Sequence, residues 1–261
     1  RSLDQGETWI KVPAYIDAST TLYQPMDLEL DPSTNKLWFS TTNNYRGTGG
    51  GTILVSNDDV TSFVKKHTIE GARRTELEIT SNGIIYALAA ENPVTIIKSS
   101  DKFANDPAVI VLPNDADTGI EPEDFTRGQS FYDLLIESDP NNPNAIFSGG
   151  IDLFKSTSGA ENATGADPWI QLSHWYAGFG FPYTHADQHG LAFGNFDSSK
   201  KVFGNDGGVY FSKTQADGSE LIASRVNNYV TSQFYTIGVA PSEMFKDSTE
   251  QVSGRDSSTR L

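Results

Sequence analysis

The sequence predicts an all-β fold: a succession of four-stranded antiparallel sheets joined by tight polar turns. Three observations predict it. In His185–Ser212, short apolar runs at Gly190–Phe193, Val202–Phe203 and Val209–Phe211 are separated by turn signals at Asn195–Ser199 and Asn205–Gly208, the pattern of an up-and-down meander. Similar runs recur at Asp27–Thr41, Leu77–Ala89 and Asp133–Gly150. A serine-anchored turn repeats at Ser2, Ser56, Ser99, Ser156 and Ser212, 43 to 57 residues apart, slightly above the ~40–50 residues of a four-stranded blade.

The elements follow in order. Arg1–Trp9 holds the first turn, Ser2-Leu3-Asp4-Gln5-Gly6-Glu7-Thr8-Trp9, and Thr8–Val12 is expected to leave it as an outer strand. Ser and Asp side chains bond the backbone of such a turn, Gly supplies positive φ and the aromatic packs between layers. Ser56–Phe63 is a second copy with Val60 in place of Gly6 and Phe63 in place of Trp9; Ser99–Phe103, Ser156–Trp169 and Ser212–Ser219 are more degenerate. Before each later turn lie three strands, the last ending at the serine, and a fourth strand follows. The blades are therefore expected at roughly 26–70, 75–113, 130–173 and 185–227. Within the last, Gly190–Phe193 should be an inner strand with Leu191 and Phe193 nearly inaccessible. Ser232–Ala240 supplies one further strand, so the propeller domain runs over 1–241 with two partial blades, as part of a larger propeller. The polar stretch 242–261 reads as a tail or loop.

The turn S-x-D-x-G-x-T-W resembles the Asp-box, or BNR, repeat. The stretch HADQHGLAF…KVFGNDGGVYFS (185–212), together with the Gln-Phe-Tyr that follows Tyr229, resembles the sortilin-like, glycoside-hydrolase-like BNR propellers. That resemblance implies a β-propeller.

Composition narrows the function. Lys plus Arg is 19 and Asp plus Glu is 34, a formal net charge of −15. So acidic a surface repels phosphate backbones and excludes nucleic acid as a partner; it offers carboxylates to Ca²⁺. There is no cysteine, hence no disulfide or thiolate metal site. No apolar run approaches the ~18 residues of a transmembrane helix. The chain starts at Arg1 without a signal peptide, which fits a processed or fragmentary chain. The expected setting is extracellular or at a bacterial cell surface.

Strand alternation predicts which face carries function. Successive strands reverse, so the B–C and D–A connections emerge on one face and the serine-anchored C–D turns on the other. The long irregular segments fall on the first face, where binding residues concentrate. Thr41–Gly51 offers Tyr45 and Arg46. Ser173–His189 gathers Trp175, Tyr176, Phe179, Phe181 and Tyr183; such rings stack on pyranose faces or, alternatively, plug the central channel. His185, Asp187 and His189 at i, i+2 and i+4 would share one side of an extended strand, as metal ligands, as acid and base, or as a hydrogen-bonded cluster against Asn205–Gly208. Asp115, Asp117 and Glu121 are calcium candidates within Asn114–Asp124, which otherwise reads as a solvated acidic loop. No F/Y-R-I-P motif accompanies the arginines, so a sialidase is not indicated. Xyloglucan-cleaving propellers use two aspartates on facing loops; the carboxylates in equivalent B–C loops here are Asp152 and Asp206, the catalytic candidates for a glycoside-hydrolase-like activity. The expected function is a propeller that binds, and as an enzyme would hydrolyse, polysaccharide or another glycan. It requires no cofactor, with calcium the one candidate ion. The alternative is a non-catalytic module contacting protein partners, or the rest of its own propeller, in a surface or secretion assembly.

Overall fold

The computed structural model describes residues 1–12, 23–91, 94–115, 117, 124–162, 165 and 167–226. The strand expected at Ser232–Ala240, the tail 242–261 and Glu121 lie outside these residues. Sixteen strands form four four-stranded antiparallel sheets in strict sequence order. The first sheet is β1 (Gln24–Asp31), β2 (Lys36–Thr42), β3 (Thr52–Ser56) and β4 (Phe63–Thr68); the second is β5 (Thr75–Ile79), β6 (Ile85–Ala89), β7 (Thr95–Ser99) and β8 (Ala108–Ile110). The third is β9 (Leu135–Asp139), β10 (Asn142–Gly149), β11 (Leu153–Ser156) and β12 (Ile170–Gln171); the fourth is β13 (Gln188–Gly194), β14 (Asp197–Asn205), β15 (Gly208–Thr214) and β16 (Glu220–Ser224). The first strands pack in succession, β1 on β5, β5 on β9 and β9 on β13. This is a β-propeller arrangement, with A strands innermost and one core between each pair of blades.

Strand alternation builds those cores. In β6, Ile85, Ala87 and Ala89 face the first blade and join Trp38, Ile53 and Val55, whereas Tyr86 and Leu88 face the third and join Ile146 and Phe154. Both faces of β6 are buried, which is why it reads as the unbroken apolar run IYALA. In β10, Ile146 points to the second blade and Phe147 to the fourth, where it meets Leu135, Leu191 and Phe203. Leu191 is buried as expected; Phe193 is half-buried, its ring edge-on to Phe147 at 5.6 Å.

The serine-anchored turn has one geometry at three of its five sites. The serine Oγ accepts from the backbone N–H four residues on: Gly6 to Ser2 at 2.7 Å, Phe103 to Ser99 at 2.7 Å and Ala160 to Ser156 at 2.9 Å. In each, the third and fourth residues after the serine are left-handed: Gln5 and Gly6, Lys102 and Phe103, Gly159 and Ala160. Asp4 caps Thr8 N–H at 2.9 Å and Asp101 caps Asn105 N–H at 3.1 Å in the same way. The other two copies differ. Asn57, not Asp58, caps Thr61 at 2.8 Å, and Ser212 Oγ donates to Glu220 at 2.6 Å beside an ordinary hairpin turn. The strand expected over Thr8–Val12 is also absent. Arg1 and Ile10 exchange two backbone bonds at 2.7 and 2.8 Å that close the turn on itself, and Trp9 is exposed because no partner strand lies beside it among the described residues.

Candidate functional site

The face bearing the B–C and D–A connections carries two carboxylate clusters. The first is built from the start of the 111–134 connection, the turn between β10 and β11, and the loop after β12. Arg127 pairs with Asp115 at 3.2 Å and with Asp117 through a second, shorter contact. His174 Nε2 bonds Asp117 at 2.6 Å, while its Nδ1 accepts from Tyr176 N–H at 2.9 Å and its ring stacks on Phe179 at 4.0 Å. Arg127 also lies over the Trp175 ring at 4.9 Å. The loop closes because His174 N–H donates to Pro182 O and Thr184 N–H to His174 O. Burial alone would raise Asp117; the hydrogen bond from His174 and the Arg127 charge hold it below the usual carboxylate range. Asp152 is fully buried beside this group, and burial, reinforced by Asp115, pushes it up against the opposing pull of His174 and Arg127. One ligand atom each from Asp115, Asp117 and His174 lies within 4.8 Å of the others, but Arg127 already supplies the positive charge there. Asp115 and Asp117 thus turn inward to a guanidinium instead of outward to solvent.

The second cluster sits where the third and fourth blades meet. Asp206, in the β14–β15 turn, accepts from Tyr132 Oη at 2.9 Å and bonds His189 Nε2 at 2.7 Å; the Tyr132 and His189 rings meet edge-on at 4.8 Å. Burial, followed by the charge of Asp206, raises Asp187 against the pull of His189 and His185. Asp133, just before β9, is fully buried, and neither carboxyl oxygen has a hydrogen-bond partner. Burial, then the charge of Asp187, pushes it up to about 8. Arg74 stands close and pulls Asp133 the other way; its Nε bonds Glu76 at 2.6 Å, and one N–H each of Nη1 and Nη2 bonds the carbonyls of Tyr132 and Leu134 that flank Asp133.

The local sequence explains this junction. Gln188 N–H donates to Gly150 O at 2.8 Å, and its side chain donates to Ile151 O and His185 O, stitching β13 to the neighbouring blade's B–C turn. A Cβ on Gly149 would lie 2.8 Å from Gln188 Cβ, and one on Gly207 would lie 2.4 Å from His185 Cβ. The glycines of Gly149-Gly150 and Gly207-Gly208 are thus where chain meets chain. The expected shared side for His185, Asp187 and His189 does not form: β13 starts only at Gln188, and Asp187 has φ 65°. His185 is exposed, its Nδ1 3.2 Å from Ala186 O and its backbone N–H on Tyr210 Oη; of the three only His189 bonds Asp206. Asp152 and Asp206 share none of these partners and fall in different clusters. Trp175 and Phe181 are half-buried, whereas Tyr45, Tyr176 and Tyr183 are exposed; Arg46 Nε donates to Tyr45 Oη at 2.9 Å. Sequence reasoning passed over Arg127, Tyr132, Asp133 and His174. The one available signal was their place in D–A connections on the binding face.

No protein-family model and no curated protein matches the chain. Solved structures do. A GH74 xyloglucanase from Xanthomonas campestris is 14% identical, with TM-score 0.51 over 75% of this chain and 29% of that one. Virginiamycin B lyase from Staphylococcus aureus is 14% identical, with TM-score 0.49 over 76% of this chain and 55% of that one. PorZ, a surface component of the type-IX secretion system of Porphyromonas gingivalis, is 10% identical, with TM-score 0.48 over 78% and 27%. At these identities the likeness shows the β-propeller fold alone. The chain spans about half the length of the lyase and under a third of the xyloglucanase.

Proposed function

We propose that this chain is an Asp-box propeller module, secreted or at the cell surface, whose B–C and D–A face binds polysaccharide. One observation carries the reading: the exposed rings Tyr45, Phe131, Tyr132, Tyr176, Phe179 and Tyr183 all stand on connections of that face, where Tyr132 also bonds Asp206 and meets His189 edge-on. Exposed rings next to carboxylates are the recognition chemistry of pyranose chains, apolar sugar faces on the rings and hydroxyls on the acids. The hydrogen bonding of the turns at Ser2, Ser99 and Ser156 supports the Asp-box assignment, and the net charge of −15 suits an exported protein. The reading is of binding and not of cleavage, because Asp152 is buried behind Arg127 and His174, away from any ligand on the face. The fold-level likeness to a xyloglucanase makes xyloglucan and related β-glucans the first ligands to try. Affinity electrophoresis in gels containing these polysaccharides is the test, with a reducing-sugar assay alongside. Retarded migration, relieved at least several-fold in Tyr183→Ala and Tyr45→Ala, is expected; unretarded migration in every polysaccharide sinks the reading.

A second reading, a module that packs against protein, rests on a different surface. The row Ala192, Val202, Phe211 and Ala223 pairs across β13 to β16 on the side of the fourth blade away from its core, with Val202 exposed. In the second and third blades both strand faces are buried by a neighbour.

A further inference from the structure

We propose that the outer face of the fourth blade docks against the first blade of a second copy of this chain, so that two copies close one propeller ring. This rests on the second reading above, a module that packs against protein, and names that protein. The blade junctions within the chain follow one rule. Each inner strand turns its large apolar side chains back to the blade before it. Leu77 and Ile79 of β5 join the core shared with the first blade, Ile136 of β9 the core shared with the second, and Leu191 and Phe193 of β13 the core shared with the third. In β1, Glu29 pairs with Trp38, which faces the second blade, so Leu28 and Leu30 point the opposite way. They are 58% and 51% exposed, and no blade precedes them among the described residues. Farther out on that face Phe39 and Leu54 are already buried, so the open part is the inner strand.

The fourth blade presents the complementary shape. Gly190 and Ala192 alternate with Leu191 and Phe193 and therefore face outward from β13. A Cβ on Gly190 would meet nothing within 4 Å, one on the paired Gly204 would meet only Gly208 O at 4.0 Å, and Ala192 is exposed. This leaves room for two leucines. Charge follows the same rule. Lys98 in β7 bonds Glu161 in the next blade at 2.7 Å, and Lys155 in β11 bonds Glu220 in the next blade at 2.9 Å. On the fourth blade Lys200 and Lys213 pair side by side and are exposed. The turn between β3 and β4 of the first blade carries exposed Asp58 and Asp59. The exposure of both faces shows that the first and fourth blades do not cover one another within one chain. Two copies joined at both junctions about a two-fold axis give eight blades, within the usual range for a closed propeller.

Sedimentation equilibrium of the intact chain is the test. A concentration-dependent dimer is expected. Leu30→Glu and Ala192→Glu, at exposed positions on opposite faces, should each raise the dimer dissociation constant at least tenfold; Lys213→Glu, on the rim, should raise it several-fold and decides for this face should Ala192→Glu fail to fold. An equimolar mixture of Leu30→Glu and Ala192→Glu should regain dimers, because each mixed pair keeps one intact junction. A monomer at every concentration, assemblies longer than two copies, wild-type dimerisation in both face variants, or no dimer in the mixture overturns the proposal. If the chain is monomeric, fluorescence of the apolar dye bis-ANS separates the two failures. Dye binding reduced in Ala192→Glu leaves the face open to a different protein and removes only the second copy; unchanged dye binding removes the protein-packing reading as well.

Discussion

The two carboxylate clusters stand on one face, use the same residue types and differ by a guanidinium. Asp115, Asp117 and Asp152 close around Arg127 and His174; at the junction His189 and the phenol of Tyr132 hold Asp206, while both carboxyl oxygens of Asp133 lack partners. The first matches its charges from within the chain, although Arg127 Nε and Trp175 Nε1 are left without partners. The second leaves buried oxygens without partners. Acidic residues by themselves therefore say little about a site; what matters is whether the chain brings its own cation. That contrast yields a ranked set of expectations.

Removing the guanidinium should have the largest effect. Arg127→Ala leaves Asp115, Asp117 and the fully buried Asp152 without their main positive charge, and it empties the space under Trp175. Breaking one side of a buried pair costs about 3–5 kcal/mol, and urea denaturation should show a loss of that size. Arg127→Lys should restore part of it, since an ammonium keeps the charge but cannot lie flat over the Trp175 ring as the guanidinium does. A loss below about 1 kcal/mol for Arg127→Ala would mean that the clusters do not differ as described.

How much of this was legible beforehand depended on sequence distance. The blades were, because burial on both faces writes unbroken apolar runs such as IYALA and because the serine turns recur. Even the degenerate Ser99 turn keeps its geometry, with Asp101 and Asn105 doing the work of Asp4 and Thr8. The end at Thr8–Val12 was misread because a strand needs a partner, which the local pattern does not show. The 185–189 trio was misread because period-two reasoning assumes extended backbone, and Asp187 is left-handed. The site itself was half visible. Asp206 and His189 lie in one meander, but Tyr132 reaches Asp206 across 74 residues, and Arg127 and Asp133 come from a long connection with no periodicity.

A third acidic group provides a pH test. Glu29, Glu78 and Glu137 come from the inner strands β1, β5 and β9; burial first, then neighbouring acids, pushes Glu29 to about 8 and Glu137 to about 9, and burial pushes Glu78 to about 7. Folded, these groups keep protons that the unfolded chain releases above its ordinary value of 4.5. Their contribution is therefore present in full below pH ~4.5 and is lost as pH rises through about 7 to 9. Denaturation at a series of pH values should show stability falling by about 2–4 kcal/mol across that window. Glu137→Gln should flatten the upper part of the curve, because an amide has nothing to release.

Asp133→Asn tests the unfinished cluster from the opposite direction to Arg127→Ala. The substitution removes a buried acid whose oxygens have no hydrogen-bond partner and should stabilise the protein by about 1–2 kcal/mol. A polar side chain lost from the finished cluster would destabilise it instead. Destabilisation by Asp133→Asn would show that the carboxyl has a partner after all and would erase the contrast.

The smallest expected effect, and the one that locates the boundary of the second cluster, is Tyr132→Phe. The phenol donates to Asp206 at 2.9 Å, and the ring meets His189 edge-on at 4.8 Å. Phenylalanine keeps the ring contact and removes one donor from a carboxylate that still bonds His189 at 2.7 Å. Asp206 is only partly buried, so water replaces much of what is lost. A cost of about 0.5–1.5 kcal/mol is expected. His189→Ala removes both the ring and the second bond, and in a double-mutant cycle the two substitutions should couple, because each leaves the other as the sole support of Asp206. Additive losses would place Tyr132 outside the cluster and leave Asp206 held by the histidine alone.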